Sequence, residues 1–578
     1  MARADVSRIA SYLRDIGSAL ELGGERGYRA AAYTRGARVL ESTARDVDDL
    51  IATGELTDLP GIGPALAAQI TEIHATGRSD LRERLLSELP EGAIELASVG
   101  LSLRAVRALT SQLGVRSVDA LRVACEAGRV RSLPGFGVKR ETKILAAIAA
   151  IATEPTDRAL LLVEAREIAN AVMAHLRRSK SIALLASVGS LRRGCELVDV
   201  VELLAVAERP DDALDRFARM ANVRTALRTE LDCEAELATG ARVTLHAAVP
   251  AASAAALQRW TGPASHNAAV DRAAARCGLS IEPSGVFSAS DRAPRGDRAA
   301  LPVDDEHELY RLVGLHYVPP EVRDVETGED AVPPLIEARD VRGLVHCHTD
   351  YSDGRHTIEQ MARAAATMGM EYITITDHSP SAHYAGGVDL ERLARQWDEI
   401  ARVQDLVGIR VLRGTESDIL ADGALDYPDA VLEKLDVVIA SIHHRHALDA
   451  KRMTTRIVRA MRHPLFKIWG HALGRLLLRR PPIECDVDAI FEAMTESRAA
   501  IELNGDPHRM DASPVLARRA HRLGIGVVVS VDAHSVRDFR NLEIGVTMAR
   551  RAGLTRDDVL NTRGAEGFAQ AVHPLRQR

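Results

Sequence analysis

Leu344-Val345-His346-Cys347-His348 opens a run of polar clusters. The run continues through Ser352-Asp353-Gly354, Thr376-Asp377-His378, Gly414-Thr415-Glu416, Ser441-Ile442-His443, Gly470-His471 and Val531-Asp532-Ala533-His534. Most of these clusters follow a short apolar, β-branched run: Tyr372-Ile373-Thr374-Ile375, Ile409-Arg410-Val411-Leu412, Val437-Val438-Ile439-Ala440, Phe466-Lys467-Ile468-Trp469 and Val527-Val528-Val529. Between them lie stretches with helical spacing, such as Ile358 to Met368 and Leu390 to Leu406. Strand, polar turn and helix in repetition predict a parallel α/β barrel, whose post-strand loops converge on one face. Side chains spread over almost two hundred positions would then meet at one place.

Neutral imidazole and carboxylate are ligands for divalent ions such as zinc, manganese and iron. One such ion takes about four to six ligands. The clusters supply nine candidates: His346, His348, Asp353, His378, Glu416, His443, His471, Asp532 and His534. Two or three ions fit that count, and paired ions suit in-line displacement at phosphorus. Cys347 sits between two candidates; on a strand its side chain points to the other face, into the core.

These nine residues resemble the ligand pattern of the polymerase-and-histidinol-phosphatase (PHP) family of metal-dependent phosphoesterases, with no departure at any position. The resemblance covers Asp340 to about Gly564. It implies a distorted seven-stranded barrel holding up to three Mn2+, Zn2+ or Fe2+ ions. It places His346, His348, Glu416 and Asp532 at one ion, with Glu416 as the bridge and the remaining five completing the others. Glu416 and Asp532 are thereby catalytic candidates. Arg475, in Gly470-His471-Ala472-Leu473-Gly474-Arg475, is a candidate for the substrate phosphate.

The chain has 578 residues, is 46% hydrophobic and carries a formal net charge of −7. Several domains are expected, and a wholly basic nucleic-acid binder is excluded, so any DNA contact must be a local patch. Six cysteines are scattered without a Cys-x-x-Cys pair, as in a reduced, cytoplasmic protein without a disulfide framework. No apolar run is long enough for a bilayer and no signal-peptide pattern opens the chain, so no membrane contact is expected.

Towards the N-terminus the pattern is helical. Leu59-Pro60-Gly61-Ile62-Gly63 and Leu133-Pro134-Gly135-Phe136-Gly137 each precede an amphipathic stretch, and Val99-Gly100-Leu101-Ser102 is a weaker copy. Backbone N–H groups at such helix starts can hold a phosphate oxygen. The copies resemble the helix-hairpin-helix element, which grips the DNA backbone without reading sequence. Residues 101–150 carry nine Lys and Arg against three Asp and Glu, whereas 51–100 carry three against eight. The DNA grip is therefore expected around Gly135, Gly137, Arg131, Lys139, Arg140 and Lys143, with a weaker contribution from Gly61 and Gly63.

From about Thr156 the pattern turns α/β. Ser187-Val188-Gly189-Ser190-Leu191-Arg192-Arg193-Gly194 ends a strand in a Gly-Ser turn, and Trp260-Thr261-Gly262 and His266-Asn267 follow. With the hairpins and the C-terminal pattern, the whole chain resembles the bacterial family X DNA polymerases that carry a PHP domain. That resemblance implies a helical lyase-like region with the first hairpin (1–88) and hairpin fingers (89–152). A nucleotidyltransferase palm and thumb (153–318), a linker (319–340) and the PHP barrel (341–578) follow. Gly189, Ser190 and Arg193 match the nucleotide-phosphate turn, and Gly262 and Asn267 the nucleotide-sensing segment.

The palm departs from its family where metal should bind. The three aspartate positions of the pattern fall on Val200, Glu202 and Thr244. Valine offers no ligand, and one carboxylate should not hold two magnesium ions against their hydration. The lysines of a Schiff-base lyase fall on Ala65 and Gln69, and the first lysine in the chain is Lys139. The expected protein is a cytoplasmic, nucleoid-associated, manganese-dependent DNA 3'-5' exonuclease or 3'-end-processing enzyme of DNA repair. It would act on gapped, nicked or 3'-ended duplex and lack polymerase and lyase activity. The alternatives are an active gap-filling polymerase with exonuclease, a DNA-binding scaffold and a small-molecule phosphatase of the histidinol-phosphate kind.

Overall fold

The computed structural model describes residues 6–24, 28–42, 47–59, 61–152, 159–291, 298–325 and 331–574. Pro60 of the first hairpin, the expected boundary near residue 153 and residues 326–330 of the expected linker lie outside that set.

The two hairpin turns repeat each other bond for bond. Ile62 N–H donates to Leu59 O at 3.1 Å, and Phe136 N–H to Leu133 O at 3.0 Å. Gly61 and Gly135 take φ of 88° and 84°, a left-handed conformation that glycine adopts without a Cβ clash. Helices Pro64–Thr76 and Val138–Ala152 then begin, their first turns bonded to the carbonyls of Gly63 and Gly137. Each hairpin belongs to its own apolar cluster, one around Ile9, Leu13, Leu40 and Ile70, the other around Leu96, Val106, Leu109 and Phe136.

Between hairpins and barrel lies a five-stranded sheet: β1 (Ile182–Ser187), β2 (Val201–Ala207), β3 (Val223–Arg228), β4 (Asp232–Leu237) and β5 (Arg242–Ala248), in the order β1-β2-β5-β4-β3. Leu203, Ala205, Val243, Leu245, Cys233 and Ala235 fill the core with helices Leu162–Leu176 and Pro210–Ala218. Glu202 lies opposite Thr244, and Thr244 opposite Glu234, across neighbouring strands.

The stretch 319–340 differs from a bare connector. Val322 and Arg323 are buried, and Arg323 pairs with Glu306 at 2.9 Å between Tyr310 and Tyr317. Leu335 and Ile336 are buried as well. The apolar residues between its prolines and charges anchor the segment.

The barrel strands are β6 (Gly343–Cys347), β7 (Tyr372–Ile375), β8 (Arg410–Asp418), β9 (Val437–Ser441), β10 (Lys467–Trp469), β11 (Ala499–Asn504) and β12 (Gly526–Ser530). All seven pair in parallel and in sequence order. The circle is closed by Val531 N–H on Val345 O, Ala533 N–H on His346 O and His348 N–H on Ala533 O. Strand alternation places Leu412 and Glu416, Ile439 and Ser441, Ala500 and Glu502, and Val528 and Ser530 on one face. The apolar members of those sets pack with Tyr372, Ile468 and the C-terminal helix residue Phe568. Apolar residues thus fill the N-terminal end of the barrel, and the polar ones gather at the other end. Cys347 is fully buried in the surrounding core, as its alternation required.

Candidate metal centre

The barrel places all nine sequence candidates in one cluster. Glu416, at the end of β8, is its centre: its carboxylate lies 3.5 Å from His346 Nε2, 3.7 Å from His348 Nε2 and 2.9 Å from His378 Nδ1. His443 Nε2 and His471 Nε2 approach the same carboxylate at 3.3 and 2.8 Å. Asp532 Oδ1 lies 3.7 Å from His346 and 3.6 Å from His348. Asp353 stands 3.4 Å from His534, 3.7 Å from His378 and 3.8 Å from His348.

Three residues of this set sit on left-handed backbone: His346 at φ 68°, His471 at 24° and Asp532 at 45°. Non-glycine residues there are strained, and such strain persists where surrounding structure holds a side chain at a functional position. At His346 the strand pairing breaks register between Leu344 and Cys347. The irregularity lets His346 face the cluster although the preceding Val345 also packs into the barrel interior.

Burial and charge set the electrostatics. Burial alone would raise the Glu416 carboxyl, but His443, His378 and His346 hold it well below the usual carboxylate range. Asp532 is held down in the same way, by His346, His348 and Arg509. Burial pushes His348 down to about 3, with His534 and His378 adding to the effect. His443 goes the other way, to about 9, because Glu416 and Asp418 outweigh its burial.

The donor set fits divalent cations. His346 Nε2, both ring nitrogens of His348, His378 Nδ1 and His471 Nδ1 are buried without a hydrogen bond. Buried polar atoms are rarely left so. Three groups bring ligand atoms within 4.8 Å of one another: His346, His348 and Glu416; His378, Glu416 and His443; and His348, Asp353, His378 and His534. Three groups sharing Glu416, His348 and His378 could hold divalent cations. The buried residues form the floor of the cluster. Asp353 and His534, with side chains 35% and 37% exposed, form its open edge.

Several residues around the ligands were not singled out from the sequence. Glu502 Oε1 holds His346 Nδ1 at 2.5 Å and its other oxygen accepts from the His471 backbone. Asp418 holds His443 Nδ1 at 3.1 Å, and Asn504 donates to Asp532 at 2.9 Å. Carboxylates on the far ring nitrogen fix the tautomer and orientation of a ligating histidine. The signal was present in Ile501-Glu502-Leu503-Asn504, an apolar strand with polar residues on alternate positions. Glu502→Gln should therefore lower metal affinity or hydrolysis by about 10–100-fold with the fold retained. Metal titration of the variant checks this, and an unchanged affinity would show that Glu502 only packs.

Arg475 corrects an expectation. Its guanidinium is committed to Glu196 of the palm at 2.5 Å and to the carbonyls of Arg509 and Met510. It ties palm to barrel instead of facing the cluster. The arginine beside the ligands is Arg509, whose Nε lies 3.4 Å from Asp532.

The other sequence candidates are placed as follows. Lys139, Arg140 and Lys143 are exposed at the second hairpin, where Arg140 also donates to Gly135 O and covers Phe136. Arg131 is paired with the buried Glu141 at 2.7 Å. In the palm, Gly189 and Ser190 begin the short helix Gly189–Arg192. Arg193 is held by Asp324 at 3.0 Å and by Thr261 O at 2.5 Å, beside Gly262. The Asn267 side chain bonds Gln258 and Arg259 O. Among the described residues, no helix is long and apolar enough to cross a membrane.

Comparison with known proteins agrees with this layout. Residues 5–79 match the helix-hairpin-helix domain model and 100–150 the SAM-like helix-hairpin-helix tandem. Residues 256–324 match the DNA polymerase beta thumb and 345–506 the PHP domain. A DNA polymerase/3'-5' exonuclease PolX of Bacillus subtilis is 31% identical over 97% of this chain and 98% of its own length. A probable phosphatase of Thermoanaerobacter sp. is 30% identical over 38% of this chain and 89% of its own length. Another from Acetivibrio thermocellus is 25% identical over 40% of this chain and 95% of its own length.

Proposed function

Because this chain belongs to the bacterial family X DNA polymerases that carry a PHP domain, we propose that its working reaction centre is the barrel. The proposed reaction is metal-dependent phosphodiester hydrolysis at DNA 3' ends, in the 3'-5' direction, with manganese-type ions. The gathering of the nine ligand candidates in one cluster, with five imidazoles facing Glu416, carries this reading. His346, His348, Glu416 and Asp532 would hold one ion, and Asp353, His378, His443, His471 and His534 the others. When bound, such ions supply Lewis acidity and positive charge to attack of water on phosphorus.

The chain's own residues orient that chemistry. Glu502 and Asp418 fix the rings of His346 and His443. Arg509 holds positive charge beside Asp532, where a phosphate oxygen would gain from it. Tyr384, 62% exposed, lies within ring contact of His378 and His443 and marks the mouth. The proposed division of the chain remains hairpins to residue 152, palm and thumb, then barrel, with the palm not polymerising.

A second reading, hydrolysis of 3'-phosphate monoesters, draws on the probable phosphatases that cover the barrel alone. Oligonucleotides carrying a 3' label or a 3'-phosphate, with manganese, test both against His348→Ala. Release of terminal nucleotides by the wild type and not by the variant supports the exonuclease. Release of phosphate alone supports the second reading. No hydrolysis of either substrate would leave a DNA-binding scaffold, and activity confined to small phosphate esters would leave a small-molecule phosphatase.

The hairpins supply the DNA grip in this account. Replacing Lys139 and Lys143 by alanine should weaken duplex binding equally for all sequences. It should also reduce the slope of log affinity against log salt by about 2, near 0.9 for each phosphate left without its lysine. Anisotropy titrations at several salt concentrations read this; an unchanged slope would mean that other residues grip the backbone.

A further inference from the structure

One palm histidine repeats the geometry of the barrel's ligands. His246, on β5, has Nδ1 held by Asp232 Oδ1 at 2.5 Å. Its Nε2 is buried, makes no hydrogen bond, and faces Glu202 Oε1 at 3.7 Å. In the barrel, His346 has Nδ1 on Glu502 at 2.5 Å, and its Nε2, also without a hydrogen bond, lies 3.5 Å from Glu416. A gap of 3.7 Å is too long for a hydrogen bond. Two ligand atoms each about 2.1 Å from one shared ion stand roughly 3–3.7 Å apart.

The surroundings hold both groups in place. His246 is only 7% exposed, and Trp260 stacks on its ring at 4.5 Å and 14°, which fixes the ring plane. Glu202 is pressed against the Gly189 turn, where a Cβ would lie 1.7 Å from Oε2. Its side chain is still 33% exposed, so an ion can reach it from solvent. Asp232 cannot join Glu202 directly. It lies on β4, two strand spacings (about 10 Å) from β2, with His246 on the strand between.

We propose that His246 Nε2 and Glu202 Oε1 hold a single divalent transition ion in the palm, with Asp232 orienting the ring. An imidazole nitrogen beside one carboxylate selects ions of the zinc, manganese or cobalt class over magnesium. Two protein ligands leave further positions open to water or a phosphate oxygen. The competing occupant of the same geometry is a proton, making His246 an imidazolium between Asp232 and Glu202 that excludes the ion.

Full-length wild type, Glu202→Gln and His246→Asn are each loaded with Zn2+, desalted and analysed for metal per chain. Zinc in the barrel is common to all three. The expected result is one equivalent less in each variant than in the wild type, with the 3'-end hydrolysis of the barrel retained. Equal zinc in the wild type and Glu202→Gln overturns the proposal and leaves the imidazolium. Should His246→Asn fail to fold, Glu202→Gln still decides, since its position is partly exposed and its folding is checked by thermal melting.

Discussion

Glu416→Gln is expected to lower phosphodiester hydrolysis by ~10^3-fold or more, since a metal supplies several kcal/mol and each 1.36 kcal/mol is tenfold in rate. The same variant should lose cations from the barrel. Five imidazoles face this one buried carboxylate, from His346, His348, His378, His443 and His471. It belongs to two of the three ligand groups, and the third is joined to them through His348 and His378. Glutamine keeps the volume and removes the charge, so packing is preserved while the shared anion is lost. Hydrolysis rate and metal content are measured together. Full activity in Glu416→Gln would mean that the reaction centre lies elsewhere.

The second large effect is an absence of synthesis. With hydrolysis silenced by Glu416→Gln, a gapped duplex given magnesium and all four deoxynucleoside triphosphates should keep its primer length. Two-metal transfer needs carboxylates converging on paired ions. Here Glu202 faces Thr244 across the strands, and Val200 brings no ligand. Asp232 is on β4 and committed to His246. The residues expected to meet nucleotide are also engaged, Arg193 with Asp324 and Thr261, and Asn267 with Gln258 and Arg259. Template-matched extension that disappears on adding Glu202→Ala would contradict this.

Much of the barrel was legible because two periodicities carry it. β-branched runs mark strands, and a parallel barrel brings every strand's end to one face, so His346 and His534 could be joined across the sequence without coordinates. The hairpins were legible for a local reason, since Leu-Pro-Gly-x-Gly fixes a left-handed glycine before a helix. What escaped depended on three-dimensional partners. Asp418 looks like an ordinary strand residue, and the alternation around Glu502 does not name its partner, until the rings behind which they stand are known. The sequence singled out Arg475, and only its contacts with Glu196 and with the Arg509 and Met510 carbonyls show that Arg509 is the arginine beside the ligands. How the segment 319–340 is anchored was not legible, because composition does not show that Arg323 finds Glu306.

Anomalous diffraction from crystals of the manganese- or zinc-loaded protein tests the central claim most directly. Two or three peaks about 3.5–4 Å apart, grouped around the Glu416 carboxylate and ringed by His346, His348, His378 and His443, are the predicted result. Loaded crystals with no anomalous peak at Glu416 would contradict it.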